Sequence, residues 1–240
     1  MDRAVSRSFQ ILEVLSRSAP AMRLSDLAAA TGLQKSTVHR IVRTLVELGY
    51  VAQDPGNSLY RPTLRTWELG MGVIADLPVK RAAAGFLQDL HRSTGETVSL
   101  TVLSGDDVLY LDKIFAARPI RFTTRVGSRV PAPFTAGGKA MLAHCPDAAA
   151  IAARVAVHHR LDLDALAAEL EEARTRGHAL SSYSPGVISV GAAVLGQGGQ
   201  PVAALSVSAP EARLTTAKRN AIIESLLDTA ARMADANGRP

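Results

Sequence analysis

The sequence predicts an α+β protein in two parts: an N-terminal winged helix-turn-helix, then a helical connector leading to a domain built on an antiparallel sheet. Residues 24–60, LSDLAAATGLQKSTVHRIVRTLVELGYVAQDPGNSLY, hold two helical patterns broken at Thr31-Gly32-Leu33 and followed by a dense turn signal. Beyond Thr94 the apolar period changes from helical to alternating, in strand pairs separated by turn residues. Strands and helices there follow a mixed order with hairpins, which favours α+β over a parallel sheet.

The first element is a helix whose stripe is Val5, Phe9, Ile11, Leu12, Val14 and Leu15. It suits both a brace for the motif that follows and a dimer surface. Ser25 stands where an N-cap belongs, with Asp26 behind it at the positive end of the helix dipole. Gly32 can take the positive φ that a sharp helix exit demands, so the chain can restart within a few residues. Leu33, Val38, Ile41, Val42, Leu45 and Leu48 then follow helical spacing on one stripe. The opposite face carries Lys35, Ser36, Thr37, His39, Arg40 and Arg43, donors of the right reach for phosphates or base edges. A strand at Tyr50–Gln53, the turn Asp54-Pro55-Gly56-Asn57 and the return Leu59-Tyr60-Arg61 complete a wing, with Arg61 placed for the backbone of a duplex. Basic residues on one face are common on solvated helices. The wing and the near-absence of acids on that face, Glu47 excepted, make nucleic-acid binding the stronger reading.

Leu64, Trp67, Leu69 and Met71 continue the apolar pattern after the wing. Pro78 opens a helix, Val79 to about Ser93, with Val79, Ala83, Phe86, Leu87 and Leu90 on one side; it reads as the connector. Thr97–Leu103 and Val108–Ile114 form a hairpin about Ser104-Gly105-Asp106-Asp107. Helices are expected at 136–144, 148–157 and 163–176, strands at 187–195 and 201–208, and a closing helix from Thr215 or Thr216 to Asn237. The boundaries are 1–75 for the winged helix, 76–93 for the linker helix and 94–240 for the sheet domain.

Composition narrows the function classes. The 240 residues are 47% apolar, ample for two cores, and the formal charge is +5. Residues 1–75 carry +3 of that charge and the remaining 165 only +2, so positive charge is concentrated where a phosphate-binding module would need it. A single cysteine, Cys145, excludes an intrachain disulfide framework and points to a reducing compartment, the cytoplasm. No basic tip and apolar stretch of a signal peptide opens the chain, and its longest weakly polar run, 186–196, is too short and glycine-rich for a membrane span.

Taken together, these motifs resemble the IclR family of bacterial transcriptional regulators. The resemblance rests on STVHRIVRTLVELGYV in the second helix of the motif, TGETVSL at 94–100, VLYLDKI at 108–114, VGSRVPAPFTAGGKAMLA at 126–143 and PGVISVGAAVLGQGGQPVAALSVSAP at 185–210. It implies a C-terminal GAF-like domain that binds a small effector and tunes affinity for an operator. It also implies dimers, or tetramers as dimers of dimers, whose N-terminal helices meet. Ser36, Thr37, His39, Arg40 and Arg43 sit where the family contacts DNA. For the effector pocket the resemblance indicates Phe134, Thr135, Ala136, Gly137, Ser181, Ser189, Ser206 and Ser208, with Val207 among its apolar neighbours. Two departures stand out: Pro131-Ala132-Pro133 replaces the family's usual Pro-Leu-His, and Ser181-Ser182-Tyr183-Ser184 stands where acids are frequent.

With those acids missing and Arg121, Arg125 and Arg129 nearby, the expected ligand is a small carboxylate or carbonyl-bearing metabolite. For any single residue the plainer reading holds equal weight: serines alternating along a half-exposed strand and arginines facing water. Thr135-Ala136-Gly137-Gly138-Lys139-Ala140 is no phosphate loop, since Ala140 follows Lys139 where Ser or Thr is required. Gly137-Gly138 reads as a tight helix start and Lys139 as structural. His144, Cys145, His158 and His159 lack metal-ligand spacing, and no acid, base and nucleophile set is evident, so neither a metal, a cofactor nor catalysis is expected. The resulting expectation is a regulator, more simply a repressor, on a palindromic or near-palindromic double-stranded operator, with no membrane partner. The alternatives are a ligand-independent DNA binder whose second domain only assembles the protein, and, further off, an enzyme acting on the pocket ligand.

Overall fold

The computed structural model describes residues 2–17, 21–117 and 124–237. Its contacts divide into two units between Asp76 and Leu77. The first contains α1 (Arg3–Arg17), α2 (Leu24–Thr31), α3 (Lys35–Glu47), β1 (Val51–Gln53), β2 (Tyr60–Pro62) and α4 (Leu64–Ala75). Ile11 and Leu15 of α1, Leu27 of α2, and Val38, Ile41, Val42 and Leu45 of α3 close on Val51 and Tyr60 of the two strands. This is the helical stripe read from the sequence, short of its last member. Leu48 lies beyond the last turn of α3 and is 52% exposed. Leu33 falls in the turn before α3 and packs at the core's edge.

Helix α2 starts one residue ahead of the expected cap. Arg23 is its N-cap and offers no side-chain hydrogen bond, while Ser25 lies inside the first turn with its Oγ on Asp26. Gly32 does take the left-handed exit, at φ +67°. Val5 and Phe9 of α1 are exposed, and α4 buries none of its residues: Leu64, Trp67, Leu69 and Val73 are all open.

The second unit comprises α5 (Pro78–Thr94), β3 (Thr97–Ser104), β4 (Asp107–Ile114), β5 (Arg129–Pro131), α6 (Ala136–Leu142), α7 (Ala148–Ala156), α8 (Leu163–Arg176), β6 (Ala179–Ser181), β7 (Val187–Leu195), β8 (Pro201–Pro210) and α9 (Thr216–Asn237). The strands form one antiparallel sheet in the order β5-β4-β3-β8-β7-β6. Alternation gives it two unlike faces. Val98, Leu100, Val190, Ala192, Leu205 and Val207 pack against α5 and α9 through Val79, Ala83, Leu87, Leu90, Ile222, Leu226 and Met233. The helix expected as the connector is thus α5, and its apolar stripe is a core face of this unit.

The other side of the sheet carries α6, α7 and α8, with Met141, Leu142, Ile151, Val155, Leu166 and Leu170 in a second core. Glu96, only 2% exposed, fastens the start of β3 to the start of α9: its carboxylate accepts from Arg213 at 2.9 Å and from Lys218 at 2.5 Å. Strands β5 and β6, three residues each, are too short to have shown as alternation and were not anticipated. Among the described residues no helix is long and apolar enough to cross a membrane.

Candidate functional site

In the first unit, the residues expected to face DNA lie on one exposed surface. Lys35, Ser36, His39, Arg40 and Arg43 are exposed along α3, and Thr37 is half-buried in its first turn. Their positions follow from the buried positions Val38, Ile41, Val42 and Leu45, which turn the polar residues outward at helical spacing. Arg43 is engaged: its Nε donates to Glu47 Oε1 at 3.0 Å. An exposed pair of this spacing contributes only about 0.3–0.5 kcal/mol, so a phosphate can displace the carboxylate.

The wing is locally built. Asp54 Oδ1 accepts from Gly56 N–H and Asn57 Oδ1 from Leu59 N–H, closing the turn, and Arg61 is exposed opposite Ala52. Met22 and Tyr60 exchange backbone hydrogen bonds at 2.9 and 2.8 Å, tying the wing to the segment that enters α2. These two contacts join residues far apart in sequence.

In the second unit, all eight residues expected for an effector pocket line one cavity of about 320 Å³. Its floor is the polar face of the sheet. Ser99 and Thr101 of β3, Ser206 and Ser208 of β8 and Ser189 of β7 alternate with the apolar residues already placed in the core, and the strand register sets Ser99 opposite Ser206 and Ser189 opposite Ser208. Ser189 and Ser208 hydroxyls are 2.8 Å apart.

One wall is the entry into α6. Thr135 Oγ1 accepts from Gly138 N–H at 2.9 Å and caps the helix. The first turn lies so close to the sheet that a Cβ on Gly191 would stand 2.4 Å from the backbone of Ala136, and one on Gly137 2.9 Å from Thr101 Oγ1. Glycine at these positions is therefore a matter of close approach, as Gly137-Gly138 suggested. Ser181 holds the mouth in place: its hydroxyl donates to the Phe134 carbonyl at 2.6 Å and accepts from Tyr183 N–H at 3.2 Å. The Phe134 and Tyr183 rings stack at 5.3 Å, and His159 meets Phe134 edge-on at 5.5 Å.

The opposite wall, Arg129 apart, was not foreseen. It consists of Tyr110 and Lys113 from β4 with Thr124, Ser128 and Arg129. Lys113 Nζ donates to the Thr124 carbonyl at 3.1 Å and its hydroxyl at 2.6 Å, and lies 5.1 Å from the Tyr110 ring centre and 5.5 Å from that of Phe115. Burial lowers the Lys113 pKa from its ordinary 10.5 to about 8, because a half-desolvated ammonium is disfavoured. Burial likewise raises the Tyr110 phenol, against a hydrogen bond with Thr124 that pulls it down.

Of the three arginines expected nearby, Arg129 lines the cavity and pairs with Asp107 at 3.1 Å, Arg125 is exposed and does not line it, and Arg121 lies outside the described residues. Val207, expected among the pocket's apolar neighbours, points to the other face, where alternation with Ser206 and Ser208 sends it into the core. Lys139 forms an ion pair with Glu169. The missed residues left one signal in the sequence, hydroxyls at every second position of β3, but nothing local tells that β3 pairs with β8.

Comparison with known proteins completes these observations. The chain matches two family models: the IclR helix-turn-helix domain over residues 4–55, and the bacterial transcriptional regulator IclR C-terminal domain over residues 71–235. It is 36% identical over 221 residues to a Cupriavidus necator protein named "Probable transcriptional regulator SauR", covering 88% of each chain. The crystal structure of the Thermotoga maritima IclR superposes with a TM-score of 0.79 at 25% identity, covering 98% of both chains. An IclR homolog from Microbacterium hydrocarbonoxydans, crystallised with 4-hydroxybenzoate, shares the fold with a TM-score of 0.83 at 22% identity, covering 97% of this chain and 98% of that one.

Proposed function

This chain belongs to the IclR family of bacterial transcriptional regulators, and on that premise we propose a one-component repressor working in the cytoplasm. A dimer presents two α3 helices to successive major grooves of a palindromic or near-palindromic operator. A small metabolite bearing a carboxylate or carbonyl occupies the cavity and changes operator affinity. The observation that carries this reading is that the eight residues the family resemblance assigns to an effector pocket line one cavity, in a unit distinct from the helix-turn-helix. The fold's occurrence with an aromatic acid bound in another protein supports it.

The dimer rests on α4 and α1. Leu64, Trp67, Leu69 and Val73 on a helix with no buried residue, with Phe9 on α1, form apolar surface that water disfavours and that a second copy of the chain would cover. Allosteric coupling in such systems amounts to about 1–3 kcal/mol, roughly a 5- to 150-fold change in operator affinity.

The experiment is fluorescence anisotropy of the full-length protein on DNA from its own promoter region, with and without small acids that raise its melting temperature. Specific binding that one such acid changes at least fivefold is expected. Specific binding that no stabilising acid alters would replace this reading with a ligand-independent DNA binder.

A further inference from the structure

We propose that Ser99 of β3, with Ser206 of β8 opposite it, sets the specificity of the cavity by clamping an uncharged oxygen of the effector, a hydroxyl or a carbonyl. The site then takes oxygen-bearing acids over their unsubstituted counterparts. The proposal rests on the reading of the cavity as an effector site and adds the residue that decides ligand class. Most hydroxyls around the cavity are already used by the protein. Ser189 and Ser208 meet each other at 2.8 Å, Thr135 caps α6, and Ser181 joins the Phe134 carbonyl to the Tyr183 N–H. Three hydroxyl residues of the lining are buried: Thr101 at 1% exposure, Ser99 at 2% and Ser206 at 8%. Thr101 Oγ1 donates to the Ala204 carbonyl at 3.5 Å. The hydroxyls of Ser99 and Ser206 have no hydrogen-bond partner among the described residues.

The two free hydroxyls stand together. The register of β3 on β8 sets Ser99 directly opposite Ser206, which brings their Cβ atoms to about 4.5–5.5 Å, so one ligand atom above the sheet can touch both. The first turn of α6 fixes the place: a Cβ on Gly137 would lie 3.0 Å from Ser206 Oγ. A buried hydroxyl without a partner is unfavourable, and a ligand oxygen restores the hydrogen bonds that folding removed. Each serine can donate or accept, so the pair gives two hydrogen bonds to a carbonyl, or gives one and takes one with a ligand hydroxyl. A C–H in the same place satisfies neither. Strands β3 and β8 bring no cation to the lining, and no Asp or Glu lines the cavity among the described residues. An uncharged oxygen therefore suits this part of the floor better than a carboxylate or an ammonium, and the Phe134–Tyr183 stack offers an apolar face at the mouth.

The test uses acids that differ by one oxygen: 4-hydroxybenzoate against benzoate, 3-hydroxypropionate against propionate, and pyruvate against propionate. Each is titrated by thermal shift and calorimetry into the full-length wild type, S99A and S206A. At least one oxygen-bearing acid should bind the wild type about tenfold or more tightly than its unsubstituted partner. S99A and S206A should each bring that ratio below about threefold by weakening the oxygen-bearing acid alone. Without ligand, S99A should melt no lower than wild type, because it removes a hydroxyl that the protein leaves unmet. Unsubstituted acids binding as tightly as oxygen-bearing ones, or a ratio that S99A retains, overturns the clamp and leaves the effector site standing. Failure of every acid to bind the wild type counts against both. If S99A fails to melt cooperatively, the ratio in S206A decides.

Discussion

Replacing Lys113 by Met should stabilise the ligand-free protein at pH 7, and the gain should vanish as the pH approaches 10.5. The folded-state pKa is about 8, against an ordinary value of 10.5. Below pH 8 both folded and unfolded states hold the proton, and the folded state bears the whole cost of a desolvated ammonium. Between about 8 and 10.5 the folded lysine is neutral while the unfolded one stays charged, so the unfolded state binds more protons and wild-type stability rises with pH. Above that window neither state is charged and the cost is gone.

At ~1.36 kcal/mol per pH unit the cost at pH 7 is bounded by about 3.4 kcal/mol. Partial exposure and screening reduce it to roughly 1–2 kcal/mol. For a domain of this size that corresponds to about 2–8 °C in Tm. Met keeps the unbranched stem and a favourable contact with the Tyr110 and Phe115 rings, so little packing is lost with the charge. The other ionisable groups of the cavity, Tyr110, Tyr183 and Arg129 with its Asp107, are common to both proteins, and burial raises the pKa of Tyr110, the one in contact with Lys113, so it stays mostly neutral across the scan. The assay is differential scanning calorimetry of both proteins, without ligand, from pH 7 to 10. A K113M protein less stable than wild type at pH 7, or a gain that does not shrink as pH rises, would refute the reasoning.

Further expectations concern the DNA face, the sheet contact and the assembly. R40A should weaken operator binding roughly 5- to 150-fold, from about 1–3 kcal/mol for a lost base or phosphate contact, with an unchanged melting curve; anisotropy titrations in which neither R40A nor R43A differs from wild type would remove α3 as the reading face. Gly191→Ala puts a Cβ 2.4–2.5 Å from the backbone of Ala136 and Gly137, so it should lower stability by about 1–3 kcal/mol and weaken any acid bound in the cavity, as read by calorimetry. W67E on α4 should shift sedimentation toward monomer and reduce operator affinity together, and a dimer that persists in W67E would place the interface elsewhere.

The parts legible in the sequence were those with a local signal. The break at Gly32, the α3 stripe, the wing turn, the β3–β4 and β7–β8 hairpins and the start of α9 near Thr215 all follow from neighbours within a few residues. Errors sit where the signal is one residue wide. Ser25 looked like a cap, yet the preceding Arg23 takes that place in the backbone, and Leu48 continued a period after the helix had ended. Strands of three residues, β5 and β6, leave no period at all.

By itself, the order of residues determined the two-part architecture, the basic exposed side of α3 and a list of hydroxyl-bearing positions, because helical and strand periods and turn chemistry act over a few residues. Only the tertiary structure decided that these positions form one cavity. Ser99 meets Ser206 because β3 pairs with β8 across more than a hundred intervening residues, and Lys113 faces the serines because β4 lies on the far side of β3. The same pairing settled which neighbour of each serine is core: along β8 a shift of one residue exchanges Val207 for Ser206. The charge environment of Lys113 is likewise a property of the packed molecule, since burial and the company of Thr124, Tyr110 and Phe115 exist only once the sheet has closed.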